Sequence, residues 1–200
     1  MTEPLLVTLL RHGAVAGRAY VFRGASDPPL SDDGWAQMRR ALAAIDDPPI
    51  AAIATSPLVR CRAFAESVAT ARGLPLVVAG AFAELRFGEW EELDSGEARA
   101  LDPARFAAFR SDPGSVAPPG GERYADFAAR VRAAFARWTR EQRGHALLVT
   151  HAGVIQTLVA ESLGLPTTSL GRIALPPAAT CRLSLLDGEP SRLLALNFAV

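Results

Sequence analysis

Three short apolar runs each break into a turn that carries histidine or arginine, and this repetition constrains the fold more than any other feature. Leu5–Leu10 runs into Arg11-His12-Gly13, Ile50–Thr55 into Ser56-Pro57-Leu58-Val59-Arg60, and His145–Thr150 into His151-Ala152-Gly153. Apolar runs this short, bounded by turn residues, suit buried strands. Helical patterns lie between them. Ser31 is an N-cap for a helix to about Ile45, with Asp32 and Asp33 complementing its dipole. Ser56-Pro57 reads as N-cap and first helical residue of a helix ending near Gly73. Tyr124–Gln142 places Phe127, Val131, Phe135 and Trp138 on one face, and Ala152–Leu163 is a further helix. Short strands are predicted at Leu76–Ala79, Arg182–Leu186 and Leu193–Phe198, and short helices at Glu97–Leu101 and Pro103–Arg110. The expectation is an α/β fold of three α/β/α layers with a mostly parallel sheet, residues 1–200 forming one domain.

Charge points to no macromolecular partner. Twenty-one basic and twenty-one acidic residues cancel, which argues against nucleic-acid or anionic-membrane binding. No lysine is present, so any anion site must use the guanidinium fork. Met1–Leu10 has no basic leading segment and is cut off by Arg11, so neither a signal peptide nor a membrane span is predicted. Cys61 and Cys181 are too few for a disulfide framework, so they read as packing residues in the cytoplasm. Three histidines and two cysteines show no metal-ligand spacing, so neither a metal nor another cofactor is predicted.

Ligands of open α/β sheets bind beyond the carboxyl ends of the strands. If the three runs are parallel neighbours, His12, His151, Arg11 and Arg60 meet at one sheet edge. A neutral imidazole can attack phosphorus, and two arginines can each grip phosphoryl oxygens through paired hydrogen bonds. The Ser56-Pro57 helix start would add partly positive N–H groups. His151 could donate to an equatorial oxygen where transition-state charge spreads. A leaving alkoxide also needs a proton. Glu84 is the first candidate, and its neighbours Glu89, Glu91 and Glu92 compete for the role. Arg23 is read as a substrate contact, and His145 as a strand-start residue without chemistry.

In these blocks and their order, the chain resembles the histidine phosphatase superfamily, the phosphoglycerate-mutase-like proteins. The blocks are Arg11-His12-Gly13, Ser56-Pro57-Leu58-Val59-Arg60-Cys61, Glu84 with Phe87-Gly88-Glu89-Trp90, and Thr150 through Ile155. The resemblance implies His12 as the phosphorylated nucleophile. It implies Arg11, Arg60 and His151 as the rest of the phosphate pocket, and Glu84 as proton donor. Arg23, Gly24 and Ala152 join the substrate-binding set.

Phe22-Arg23-Gly24, Asp27-Pro28-Pro29-Leu30, Gly34 through Met38, and Pro118-Pro119-Gly120-Gly121-Glu122 resemble the alpha-ribazole phosphatases of cobalamin synthesis. The chain departs from the superfamily pattern at Ala14-Val15, where Glu and Thr or Ser are usual, and at Glu92, where glycine is usual. Ala152 and Gln156 also replace a usual glycine and a common basic residue.

The predicted activity is metal-independent hydrolysis of a small phosphorylated metabolite, with a homodimer compatible with the sequence. A phosphoglycerate-type mutase and a broad-specificity sugar or nucleotide phosphatase are the enzyme alternatives. A phosphate-binding regulatory module is the alternative from another class.

Overall fold

Leu5–Arg11 forms β1, and its side chains divide between two cores as the pleat requires. Val7 and Leu9 enter one core while Leu10 enters the other. A computed structural model describes residues 3–197. Six strands form one sheet in the order β3-β2-β4-β1-β5-β6. Besides β1 these are Ala52–Thr55 (β2), Leu76–Val78 (β3), His145–Thr150 (β4), Thr180–Leu185 (β5) and Arg192–Leu196 (β6). The first four are mutually parallel, and β5 and β6 join antiparallel, which gives the mostly parallel sheet expected.

Helices cover both faces. Asp32–Ile45 (α1) and Val59–Arg72 (α2) lie on the face of Leu10, burying Met38, Ala41, Leu42 and Ile45 from the first and Phe64 and Val68 from the second. Tyr124–Arg140 (α5) and Ala152–Ser162 (α6) lie on the other face, after the short helices Ser95–Leu101 (α3) and Pro103–Ser111 (α4). The predicted stripe Phe127, Val131, Phe135 and Trp138 is buried. Spacing of three and four residues turns these side chains toward the sheet, and each such burial contributes roughly 1.5–3 kcal/mol. No helix among the described residues is long and apolar enough to cross a membrane.

Some boundaries differ from the sequence reading. Ile50 and Ala51 precede β2, and β6 ends at Leu196; Phe198 lies outside the described residues. Ser31 caps α1 as expected, accepting from the Gly34 N–H at 3.1 Å. Ser56 does not cap α2. The cap position is Leu58, and the Ser56 hydroxyl accepts the Leu58 N–H at 3.2 Å. The chain stays extended at Leu58, so the helix begins two residues later than Ser-Pro implies.

Strand register places the site. Arg11 of β1 lies opposite Thr150 of β4, and Thr55 of β2 opposite Val149. The pairing continues one step past the strands, with the His12 N–H donating to Thr150 O at 2.9 Å and the Ser56 N–H to Val149 O at 3.1 Å. The residues that follow these pairs therefore leave the sheet side by side.

Candidate active site

His12 and His151 emerge from adjacent parallel strands with ring centroids 5.3 Å apart and planes at 64°. His12 Nδ1 lies 2.8 Å from Gly13 O, which only accepts, so Nδ1 carries the proton and Nε2 keeps the lone pair. Burial and the charges of Arg11 and Arg60 push the His12 pKa down to about 3, against a smaller lift from the Gly13 carbonyl. The ring is therefore neutral and nucleophilic at physiological pH. His151 is fully buried, and burial followed by the Arg60 charge puts its pKa well below 6.5. Its Nε2 lies 2.7 Å from Ser56 Oγ, so the serine at the end of β2 holds the ring's rotation.

Arg60, on the first turn of α2, is also fully buried. It donates to the carbonyls of Arg23 (3.2 Å), Gly24 (3.1 Å) and Ser26. Arg11 donates to Leu175 O, and burial lowers its pKa. The Nε groups of Arg11 and Arg60 are buried without a hydrogen-bond partner among the described residues. Two unpaired guanidinium donors in one buried place require an acceptor, and a phosphoryl group supplies several.

At the N-terminus of α2 the Val59 N–H is taken up within the protein. Asp27 accepts the Val59 N–H through both carboxylate oxygens, at 2.7 and 3.0 Å, and lies 3.7 Å from Arg60. A carboxylate from the preceding loop thus meets the positive end of the α2 dipole.

The four acidic candidates separate cleanly. Glu84 is buried, with Oε2 accepting the Gly153 N–H and Oε1 the Leu85 N–H, both at 3.0 Å. Burial raises its pKa, and those N–H groups with the charges of Arg60 and Arg11 pull against the rise. Glu89 is exposed. Glu91 is bound to backbone N–H groups, and Glu92 is paired with Arg23 at 2.9 Å. Of the four, Glu84 alone is buried in the company of the two arginines.

Arg23 and Gly24 meet Arg60 through their carbonyls but are otherwise engaged within the protein, Arg23 by Glu92 and Gly24 by Glu91. Glu92 adopts φ +60°, a left-handed conformation that costs a side chain energy and suits the glycine usual there. The Arg23 pair opposes that cost. Ala152 opens α6 beside Glu84 and lines a cavity of about 180 Å³ with Phe22, Phe87, Phe109, Tyr124 and Phe127.

Sequence reasoning missed Arg130. From α5 it donates to the carbonyls of Ala81 (2.8 Å), Ala83 (2.9 Å) and Glu84 (3.1 Å) while pairing with Glu122 through two bonds. It holds the segment that presents Glu84. Glu122 was visible beside Pro118–Gly121, but nothing in the sequence linked it to an arginine on the helix. His145 is likewise structural: Nδ1 donates to Pro48 O at 2.6 Å and Nε2 accepts from Thr8 Oγ1 at 2.8 Å.

A mostly parallel α/β sheet that gathers two neutral histidines, a buried arginine and a half-buried one beyond its strand ends defines a class of phosphate-handling proteins. The chain belongs to the histidine phosphatase superfamily (branch 1), whose family model matches residues 7–198. It is similar to the Bifunctional protein Rv2228c of Mycobacterium tuberculosis, at 33% identity over 88% of this chain and 49% of that protein. The chain thus spans about half the length of that relative. It is 26% identical to the Adenosylcobalamin/alpha-ribazole phosphatase of Salmonella typhimurium over 90% of each. The solved mycobacterial glucosyl-3-phosphoglycerate phosphatase Rv2419c is 25% identical, with a TM-score of 0.84 over 98% of this chain and 99% of that one.

Proposed function

We propose that residues 1–200 act as one domain that hydrolyses phosphomonoesters without a metal, through a phosphohistidine on His12. The observation that carries this reading is the His12–Gly13 hydrogen bond, which leaves Nε2 unprotonated in a pocket with two unpaired arginine donors. Nε2 attacks phosphorus, the P–O bond to the leaving group breaks, and Glu84 gives its proton to the departing oxygen. Arg11, Arg60 and His151 stabilise the charge on the equatorial oxygens. The Glu84 carboxylate then takes a proton from water, whose oxygen attacks phosphorus. The P–N bond breaks, phosphate leaves, and His12 and Glu84 return to their starting states.

For the substrate we propose alpha-ribazole 5'-phosphate, with a role in cobalamin synthesis. The support is the aromatic cavity beside Glu84 and Ala152, where a leaving group would lie. Tyr124 leaves that cavity largely apolar. Thr157 Oγ1 donates to Gly153 O at 2.8 Å, so the Tyr124 hydroxyl, 3.1 Å away, spends its proton on Thr157. Cys61 and Cys181 are free and buried, which fits the cytoplasm.

A panel of alpha-ribazole phosphate, sugar phosphates, nucleotides, phosphopeptides and 3-phosphoglycerate tests the reading. The expected result is phosphate release with the highest kcat/KM on alpha-ribazole phosphate. A better sugar phosphate or nucleotide would replace the substrate and keep the chemistry. Isomerisation of 3-phosphoglycerate faster than its hydrolysis would make the enzyme a mutase, and no turnover of any ester would leave a phosphate-binding module.

A further inference from the structure

Glu91 stands beside the site without touching it, yet four backbone N–H groups converge on its carboxylate. Gly24 donates at 3.1 and 3.0 Å to its two oxygens, Ala25 at 2.9 Å, Ser26 at 3.3 Å and Phe87 at 3.0 Å. Three of these donors belong to the loop whose carbonyls accept from Arg60, namely those of Arg23, Gly24 and Ser26. The loop is therefore held from two sides, its N–H groups by a carboxylate and its C=O groups by a buried guanidinium. The fourth donor, Phe87, lies three residues beyond Glu84, so the same carboxylate grips the segment carrying the acid.

Backbone pairing fastens the rest of this joint. The Phe22 N–H donates to Leu93 O and the Glu92 N–H to Phe22 O, both at 2.9 Å. Gly24 is pressed so closely against the Glu84 segment that an added Cβ would lie 2.0 Å from Leu85 O and 2.7 Å from Glu91 Oε1. The absence of a side chain at Gly24 is what lets the carboxylate reach the loop backbone.

We propose that Glu91 is the positioning residue for Arg60, acting through the Arg23–Ser26 loop. The Arg23–Gly24 and Gly24–Ala25 peptide groups lie in hydrogen-bonded series between the two side chains, with their N–H groups on Glu91 and their carbonyls on Arg60. A carboxylate on their N–H side strengthens their carbonyls as acceptors on the other. Those two carbonyls hold Nη2 and the Ser26 carbonyl holds Nη1, which leaves Arg60 Nε as the donor still to be satisfied. Without Glu91 three loop N–H groups lose their acceptor, the loop relaxes toward water, and Arg60 loses its backing. The inference rests on Arg60 being a phosphate ligand, as proposed above.

The test is a double-mutant cycle read by calorimetric binding of inorganic phosphate, with thermal unfolding as control. Glu91→Gln keeps the shape but turns an amide NH₂ toward N–H donors, and phosphate affinity is expected to fall about tenfold. In an Arg60→Lys background, where the fork that the loop holds is gone, the same change is expected to cost less than about twofold. An equal loss in both backgrounds, or none beside Arg60, would overturn the proposal. If the Gln variant does not fold, Glu91→Asp takes its place in the cycle under the same criteria. The readout is binding, so wild-type protein that binds phosphate but hydrolyses no ester would defeat the catalytic reading and leave this one standing.

Discussion

The carboxylate of Glu84 and the backbone of Gly153 are in direct contact: the Gly153 N–H donates to Oε2 at 3.0 Å, and a Cβ on Gly153 would lie 2.3 Å from Oε1. A glycine on the first turn of α6 therefore sets where the candidate acid sits, and alanine there must push the carboxylate away. Alanine also favours the helix by up to about 1 kcal/mol, so fold stability is expected to hold. Gly153→Ala should lower kcat on an alkyl phosphate on the order of 100-fold with little change in Tm. Full activity would show that Glu84 is not the proton donor.

Glu84→Gln separates the two halves of the reaction. An aryl phosphate has a leaving group that needs no proton, so phosphorylation of His12 should proceed while hydrolysis of the phosphoenzyme stalls. Rapid mixing is expected to show a burst of about one phenol per site, and acid-labile, alkali-stable phosphate should accumulate on the protein. Alkyl phosphates should lose about 100-fold or more in both kcat and kcat/KM. Equal losses in kcat/KM for aryl and alkyl esters would count against Glu84 as the proton donor.

His12→Ala is expected to reduce aryl-phosphate turnover on the order of a thousandfold or more, while chelators leave the wild-type rate unchanged. Steady-state assays with and without chelator check both statements. Retained turnover in the variant would remove His12 as nucleophile, and inhibition by chelator would bring a metal into the chemistry.

Acid should destabilise the fold. His12, His151 and His145 all have pKa values lowered from 6.5, chiefly by burial. Below about pH 6.5 the unfolded chain binds protons that the native histidines refuse, so stability falls as pH drops, for His12 until about pH 3. Each histidine contributes up to about 1.4 kcal/mol per pH unit. Glu84, its pKa raised from 4.5 by burial, has the opposite sign: the native state keeps a proton that the unfolded chain releases. The histidines outnumber it, so the net effect is a loss of stability on acidification. Urea unfolding at about pH 7 and about pH 5.5 measures it, and a flat or rising stability would contradict the buried neutral histidines.

The strand ends were legible because strand and helix periods differ and because turns break apolar runs abruptly at Arg11, Ser56 and His151. Parallel neighbours then bring His12 and His151 together by register, a consequence of alternating order and short connections. The helix start at Ser56-Pro57 misled for a physical reason. A cap can come from any carboxylate within reach, and Asp27 reaches it from a loop thirty-two residues away. Among Glu84, Glu89, Glu91 and Glu92, local sequence held no means of separation, since all four are the same side chain within nine residues.

By itself the sequence determined the layered fold, the strand ends and the residue types that meet there, because these follow from periodicity and chain order. Only the tertiary structure decided the protonation of each group and the partner of each charge. Burial and long-range hydrogen bonds set those, through Gly153 on Glu84, Arg130 on its segment, and the opposed grip of Glu91 and Arg60 on one loop.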